Sequence, residues 1–265
     1  MLGSFGYPLY DSGVANSLFW NWANYLKDRP HISYSMAGED KILFHIINNL
    51  AKGKSISWLN IGAAHPIILN DTYFFYRNRK FKIRGKRPYG VSIDARPNLR
   101  ILYRVFRLRE IFLNLLVSSE DAKVQDFFYN PYEPHNSSIN ENWARGLNVE
   151  TRANQDIEKI LVNVMCLDQI YGQYPNLLQG EVGQIFSMLL IDTEGHDLEV
   201  LKSNDFNKNR PSLVAVEITF PTDKGLEIVT LDKLVESEIH QFMLAAGYDW
   251  YAGNGFTQFY LEQTE

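Results

Sequence analysis

At 265 residues, 45% hydrophobic and 22% charged, the chain can bury a full core without disulfides, metal staples or a partner. Its formal net charge of -5 argues against a broad nucleic-acid surface, and its single cysteine excludes an intrachain disulfide and a cysteine-rich zinc site. No stretch reaches the roughly 20 apolar residues that span a bilayer, and the start, MLGSFGYPLYDSGVANSLFWNW, lacks the basic end and apolar core of a secretory leader; a cytoplasmic protein is expected.

Residues 1–32 read as an aromatic extension ahead of a domain over 33–265. Phe19, Trp20, Trp22 and Tyr25 suit a core or subunit contact, with a partner or a membrane interface as the other uses. SYSMAGEDKILFHIINNL predicts a helix whose apolar face is Ile42, Leu43, Ile46, Ile47 and Leu50. GKSISWLNIG is a strand that runs into a glycine turn. FYRNRKFKIRGKRP, from Phe75 to Pro88, is basic with aromatics interleaved: a solvated connection, or a rim that attracts a phosphate or an acidic substrate. PYGVSIDA is a short strand ending at Asp94. Pro97 then suits the first turn of a helix that spaces Leu99, Leu102, Val105, Phe106 and Arg109 on one side.

IFLNLLVSS reads as one apolar strand and AKVQDFFYN as another. Asn130 to Asn148 is rich in turn formers and long enough to be a lid or a binding segment; Asn136, Ser137 and Ser138 are its polar candidates, or ordinary loop donors. Cys166 reads as a small buried hydrophobe, and LDQIYGQY as a short helix. IFSMLLID and SLVAVEITF are apolar on both parities, as strands are when helices cover both faces of a parallel sheet. HDLEVLKSNDF is helical between them. A helix around EIHQFMLAAGY and strands near YDWYAG and FTQFYLE close the chain. The alternation predicts an α/β protein with a doubly wound sheet and an antiparallel edge. Monomer and homodimer both suit this composition.

In such sheets ligands bind beyond the carboxyl ends of the strands. Four signals gather there: the turn Asn60 to Pro66, Asp94, the block Asp192 to His196, and Glu217. Gly62 lets backbone approach where a side chain would not fit. Neither G-x-G-x-x-G nor G-x-x-x-x-G-K-[ST] occurs, so the turn is not a dinucleotide or P-loop fingerprint. Asp94 suits a ribose hydroxyl or a cap on the helix behind Pro97. Together these favour an adenosine-bearing cofactor.

SYSMAGEDKIL, WLNIGAAHPIILNDTYFFY, VSIDARPN, LNLLVSS, VMCLDQI and above all LLIDTEGHDLEVLKS resemble the FkbM-type family of S-adenosylmethionine-dependent methyltransferases, over most of residues 33–261. The resemblance implies a Rossmann-like seven-stranded class I methyltransferase fold with S-adenosyl-L-methionine as cofactor. It implies that Gly62, with Ala63 and His65 of the same block, passes close to the methionine part. Asp94, beside Ala95, would receive the ribose hydroxyls. Ser118 or Ser119 would approach the adenine, or else pack at a strand end. Asn60 stands where the family often has an acid, and Asn70-Asp71-Thr72 departs slightly from its usual Asn-Thr arrangement.

Asp192 and Glu194 share strand parity if the strand reaches both; Gly195 offers a turn before that. Asp192 belongs to the catalytic region and to the cofactor's surroundings. Glu194 orients substrate or stabilises the turn, and His196 is a base or a helix cap. Glu217 is a second carboxylate. With Asp192 and His196 it offers ligands for a divalent ion, a possibility secondary to metal-independent acid–base chemistry. The resemblance implies O-methylation of a small polyhydroxylated acceptor, a sugar or glycan. N-methylation of an amine or peptide, and a noncatalytic binding module that keeps the fold, are the alternatives.

Overall fold

Strands that are apolar on both parities need cover on both faces, and the helices supply it. The computed structural model describes residues 33–78, 88–120, 122–131, 136–145, 157–179, 185–222 and 225–263. The aromatic extension and the basic run from Arg79 to Arg87 lie outside the described residues.

Helix α1 (Glu39–Leu50) begins inside the segment predicted for it rather than at its start, because Gly38 at φ 87° turns the chain into it. The Glu39 and Asp40 carboxylates reach back to accept the backbone N–H groups of Ala37 and Tyr34, both at 2.9 Å. Strand β1 (Ser55–Ile61) follows, then α2 (Tyr73–Arg77), β2 (Tyr89–Ile93) and α3 (Leu99–Phe106). The expected stripe on α3 needs correction. Leu99 and Tyr103 are buried, Leu102 is half-buried, and Val105, Phe106 and Arg109 are exposed. Arg107, one turn beyond Tyr103, is 0% exposed. Its guanidinium pairs with Glu110 at 2.6 Å, donates to the Pro66 carbonyl at 2.7 Å and lies over the Tyr76 ring. A buried charge persists only when its donors are satisfied in this way.

The run IFLNLLVSS is two strands rather than one: β3 (Ile111–Leu113) and β4 (Leu116–Val117). Asn114 parts them, donating from Nδ2 to the carbonyls of Asp94 at 2.8 Å and Arg96 at 3.0 Å. Strand β5 (Val124–Tyr129), helix α4 (Glu141–Ala144) and strand β6 (Glu158–Met165) come next; α4 falls inside the expected loop and β6 was not anticipated. Cys166 is half-buried rather than buried, at the entrance to α5 (Leu167–Gln173). Then come β7 (Ile185–Ile191), α6 (Asp197–Lys202), β8 (Leu213–Glu217), the pair β9 (Phe220–Thr222) and β10 (Gly225–Glu227), α7 (Leu231–Glu236), α8 (Glu238–Ala245), β11 (Tyr248–Gly253) and β12 (Thr257–Glu262).

The main sheet is seven-stranded and mixed, in the order β11-β12-β8-β7-β1-β2-β3. The run β8-β7-β1-β2-β3 is parallel; β12 is antiparallel to β8, and β11 to β12. A second sheet, β4-β6-β5, carries the chain from Leu116 onward. One apolar cluster sets Ile56, Trp58, Phe186, Met188 and Leu190 against Leu43, Ile46 and Ile47 of α1. The other sets Leu59, Ile61, Leu189 and Ile191 against Leu167 and Ile170 of α5, Val200 and Leu201 of α6, and Met243 of α8. Strand order reverses between β1 and β7, which opens a crevice at their carboxyl ends.

Candidate active site

Backbone register brings four strand ends level. Ile61 pairs with Ile93 and with Ile191, and Ile191 pairs with Val216. Gly62, Asp94, Asp192 and Glu217 are therefore the next residues out on four parallel strands, and all four line one cavity of about 380 Å³. Asn60, Ala63, Ala95, Glu194 and His196 line it too. His65, Ser118 and Ser119 do not. The His65 Nδ1 accepts from the backbone of Ile67 at 3.2 Å and Ile68 at 3.1 Å, closing its own turn. Ser118 Oγ accepts from Glu120 N at 3.2 Å, and Ser119 Oγ donates to Glu199 at 2.6 Å.

Gly62 has φ 75°, and a Cβ there would stand 1.6 Å from the Asp192 carbonyl oxygen. What approaches closely at this glycine is the neighbouring strand end. The Gly62 and Ala63 N–H groups both donate to the Ile93 carbonyl at 3.0 Å, and Asp192 N donates to Ile61 O at 3.0 Å. Asn70, which the sequence marks only as part of an altered triplet, holds the turn from behind through Nδ2, at 2.8 Å from Ala63 O and 3.1 Å from His65 O.

Asp94 is buried and fully engaged. Its carboxylate accepts from Ala64 N at 3.0 Å, from Arg96 N at 2.9 Å and from the Arg96 guanidinium at 2.8 and 2.5 Å. Arg96 was not singled out by the sequence, because the residue that matters is Asp94 until the turn folds its neighbour over it. Among the described residues lining the cavity Arg96 is the only Arg or Lys, against the acids Glu39, Asp71, Asp94, Asp192, Glu194 and Glu217.

The parity argument for Asp192 and Glu194 does not apply, since β7 ends at Ile191 and Glu194 is left-handed at φ 55°, followed by Gly195 at φ 89°. Both acids nonetheless reach the cavity. Asp197 ties the turn, accepting from Thr193 N at 2.8 Å, Thr193 Oγ at 3.0 Å and Gly195 N at 3.2 Å. The segment around α4 braces it from outside. Trp143 Nε1 donates to Glu194 Oε2 at 2.7 Å, and Ser138 Oγ donates to the Glu194 carbonyl at 2.9 Å. Of the loop's expected polar candidates, Asn136 and Ser137 line the cavity and Ser138 supports it. Trp143 carried no signal in the sequence: a lone tryptophan in a polar loop has no periodicity to place it.

The electrostatics are those of crowded acids. The cavity leaves part of Asp192 accessible, yet the surrounding protein strips enough water from its carboxyl to hold its pKa well above the ordinary value, with Glu194 and Asp197 adding to the rise. Glu217 is raised well above its own value by burial first and by Asp192 next. The two carboxyls follow strand residues paired in register and line the same cavity. Asp71, beside Glu39, is pushed up by burial and by that neighbour. Burial lifts Glu194 to about 7 against the Trp143 hydrogen bond. His196 occupies the N-cap position of α6 without a capping side-chain bond; burial lowers its pKa, and its Nε2 is buried without a partner. Among the described residues no group of three or more His, Cys, Asp or Glu has an arrangement that could hold a metal ion.

The profile of the methyltransferase FkbM domain matches residues 60–249, from the first cavity residue of β1 into β11. The chain belongs to the FkbM methyltransferase family. It is an S-adenosylmethionine-dependent methyltransferase. Comparison with curated proteins and with solved structures found no match. The FkbM domain's cavity fits its cofactor on two counts. Its acids, with the buried Glu217 Oε2 left without a donor, suit a cation, and its wall of Leu116, Val117, Phe127 and Ile139 suits a flat apolar ring. No helix among the described residues is long and apolar enough to cross a membrane.

Proposed function

We propose that the chain transfers the methyl group to a hydroxyl of a small polyhydroxylated molecule, a sugar or glycan. The observation that carries this reading is the Asp192–Glu217 pair on adjacent strand ends inside the cavity. An alcohol must lose its proton as its oxygen attacks, and a carboxylate beside the reacting atoms can receive it. The cofactor supplies an electrophilic methyl on a sulfonium. An acceptor hydroxyl bound beside it would be the nucleophile, and the chain's part would be to position that oxygen and take its proton. Asp192 accepts the proton, and Asp71 holds a neighbouring hydroxyl. Glu194, anchored by Trp143, keeps the turn in shape, and His196, neutral in its buried position, is the second candidate base.

Asn60, Gly62 and Ala63 would hold the methionine end. Asp94 and Ala95 would hold the ribose, and the wall of Leu116, Val117, Phe127 and Ile139 the adenine. In this arrangement Val117 and its neighbours, which line the cavity, take the adenine role expected of Ser118 or Ser119, whose hydroxyls bond to Glu120 N and Glu199. Asn60 cannot give the cofactor ammonium a charge-assisted bond. Glu39, on the same cavity, carries the charge that Asn60 lacks.

Titration calorimetry with S-adenosylhomocysteine tests the cofactor site: saturable binding, weakened at least tenfold by Asp94→Ala, is the expected result. Mass spectrometry of products from a panel of sugars and amino-bearing acceptors tests the chemistry. A methyl on nitrogen would replace the hydroxyl reading with the amine one, which the excess of acids among the described residues lining the cavity also favours. Cofactor binding without transfer to any sugar, lipid, phenol or amine would favour a binding module.

A further inference from the structure

We propose that Asp192 and Glu217 act as one unit holding a single proton, which the unit gives up when the cofactor's cation enters and takes back from the acceptor hydroxyl during transfer. This rests on the methyl-transfer reading above and adds a proton cycle to it.

The geometry is that of a pair. Leu190 stands opposite Ala215 and Ile191 opposite Val216, so Asp192 and Glu217 follow in register on the face shared by Leu190 and Ala215. Two carboxyls that are neighbours on adjacent strand ends in one cavity repel when both are ionised, which favours a single proton held by the pair. Glu217 is 6% exposed, lines the cavity, and leaves Oε2 without a donor. Among the described residues lining the cavity around the pair, Arg96 is the one Arg or Lys. Glu39 on α1, Asp71 ahead of α2, and Glu194 and Asp197 in the β7–α6 turn are acids. Arg96 is committed to Asp94, and burial favours the neutral form of His196. Loss of solvent raises both members, with Glu194 and Asp197 adding to the rise at Asp192 and Asp192 adding to the rise at Glu217, in keeping with one retained proton.

The steps balance. Entry of a sulfonium cation lets the pair ionise, and the proton leaves to solvent. In transfer the acceptor's O–H proton goes to the pair as the oxygen–carbon bond forms and the carbon–sulfur bond breaks with its electrons on sulfur. The cavity then holds a neutral thioether and a pair protonated once more.

S-adenosylmethionine and S-adenosylhomocysteine share their other ionisable groups and differ in the sulfonium charge, which makes them the probes. Calorimetry of each in two buffers of different ionisation enthalpy counts the protons exchanged on binding. At neutral pH S-adenosylmethionine should release about one more proton per site than S-adenosylhomocysteine, and its relative affinity should rise by up to about tenfold per pH unit. Glu217→Gln, with folding checked by retained S-adenosylhomocysteine binding, should abolish the difference. Glu194→Gln should leave it, although that neighbour also titrates near neutrality. Equal proton counts for the two ligands in the native protein overturn the proposal, as does a difference that survives Glu217→Gln or disappears in Glu194→Gln. Failure of both ligands to bind overturns the methyl-transfer reading and this cycle with it.

Discussion

Replacing Glu194 with glutamine should make the protein more stable than the native form above neutral pH, and the gain should fade in acid. Burial lifts the Glu194 carboxyl from its ordinary 4.5 to about 7, with Asp197 adding to the rise and the Trp143 hydrogen bond and Arg96 opposing it. An unfolded chain would ionise this glutamate near 4.5. Between those values the folded state binds the extra proton, so stability is lost as pH climbs through the folded pKa. At about 1.4 kcal/mol per unit the penalty is about 3 kcal/mol, fully developed above pH ~7 and absent below ~4.5. That is a ceiling, because Asp192 and Asp197 titrate alongside and share the strain. Glutamine keeps an oxygen for the 2.7 Å bond from Trp143 Nε1, so the substitution removes charge with little else. Urea unfolding of both proteins from about pH 5 to 8.5 reads the effect directly. A stability difference that stays constant across that range would refute the burial argument for Glu194.

Gly62→Ala should lower stability by about 3 kcal/mol or more, since the new Cβ both meets the Asp192 carbonyl at 1.6 Å and forces a left-handed alanine. A thermal midpoint within a degree or two of the native one would show that β1 and β7 part easily. Arg107→Ala should cost about 3–5 kcal/mol by leaving Glu110 buried without its guanidinium, measured by denaturant unfolding. Arg96→Ala frees two of the oxygen contacts on Asp94 and should tighten S-adenosylhomocysteine by roughly tenfold; weaker binding would instead make Arg96 part of the cofactor's seat.

Much of this protein is decided within short stretches of chain. The apolar runs at 55–61, 185–191 and 213–217 are strands because both parities carry core residues, and the sheet that buries both faces follows from that pattern. The polar residues Asp94, Asp192 and Glu217 mark the ends of the strands over 89–93, 185–191 and 213–217, so the cavity's floor is legible before any fold is known. The exceptions share a cause. Asn114 splits an apolar run because two carbonyls from another loop await its amide, and Arg107 replaces the expected apolar stripe because Glu110, Pro66 and a tyrosine ring converge on it. Strand β6 alternates polar and apolar residues too weakly to stand out, and its partners β4 and β5 define it. Sequence spacing likewise says nothing of distance across a sheet. That Asp192 meets Glu217, that Arg96 covers Asp94 and that Trp143 grips Glu194 depend on strand register and loop return, which only tertiary packing decides.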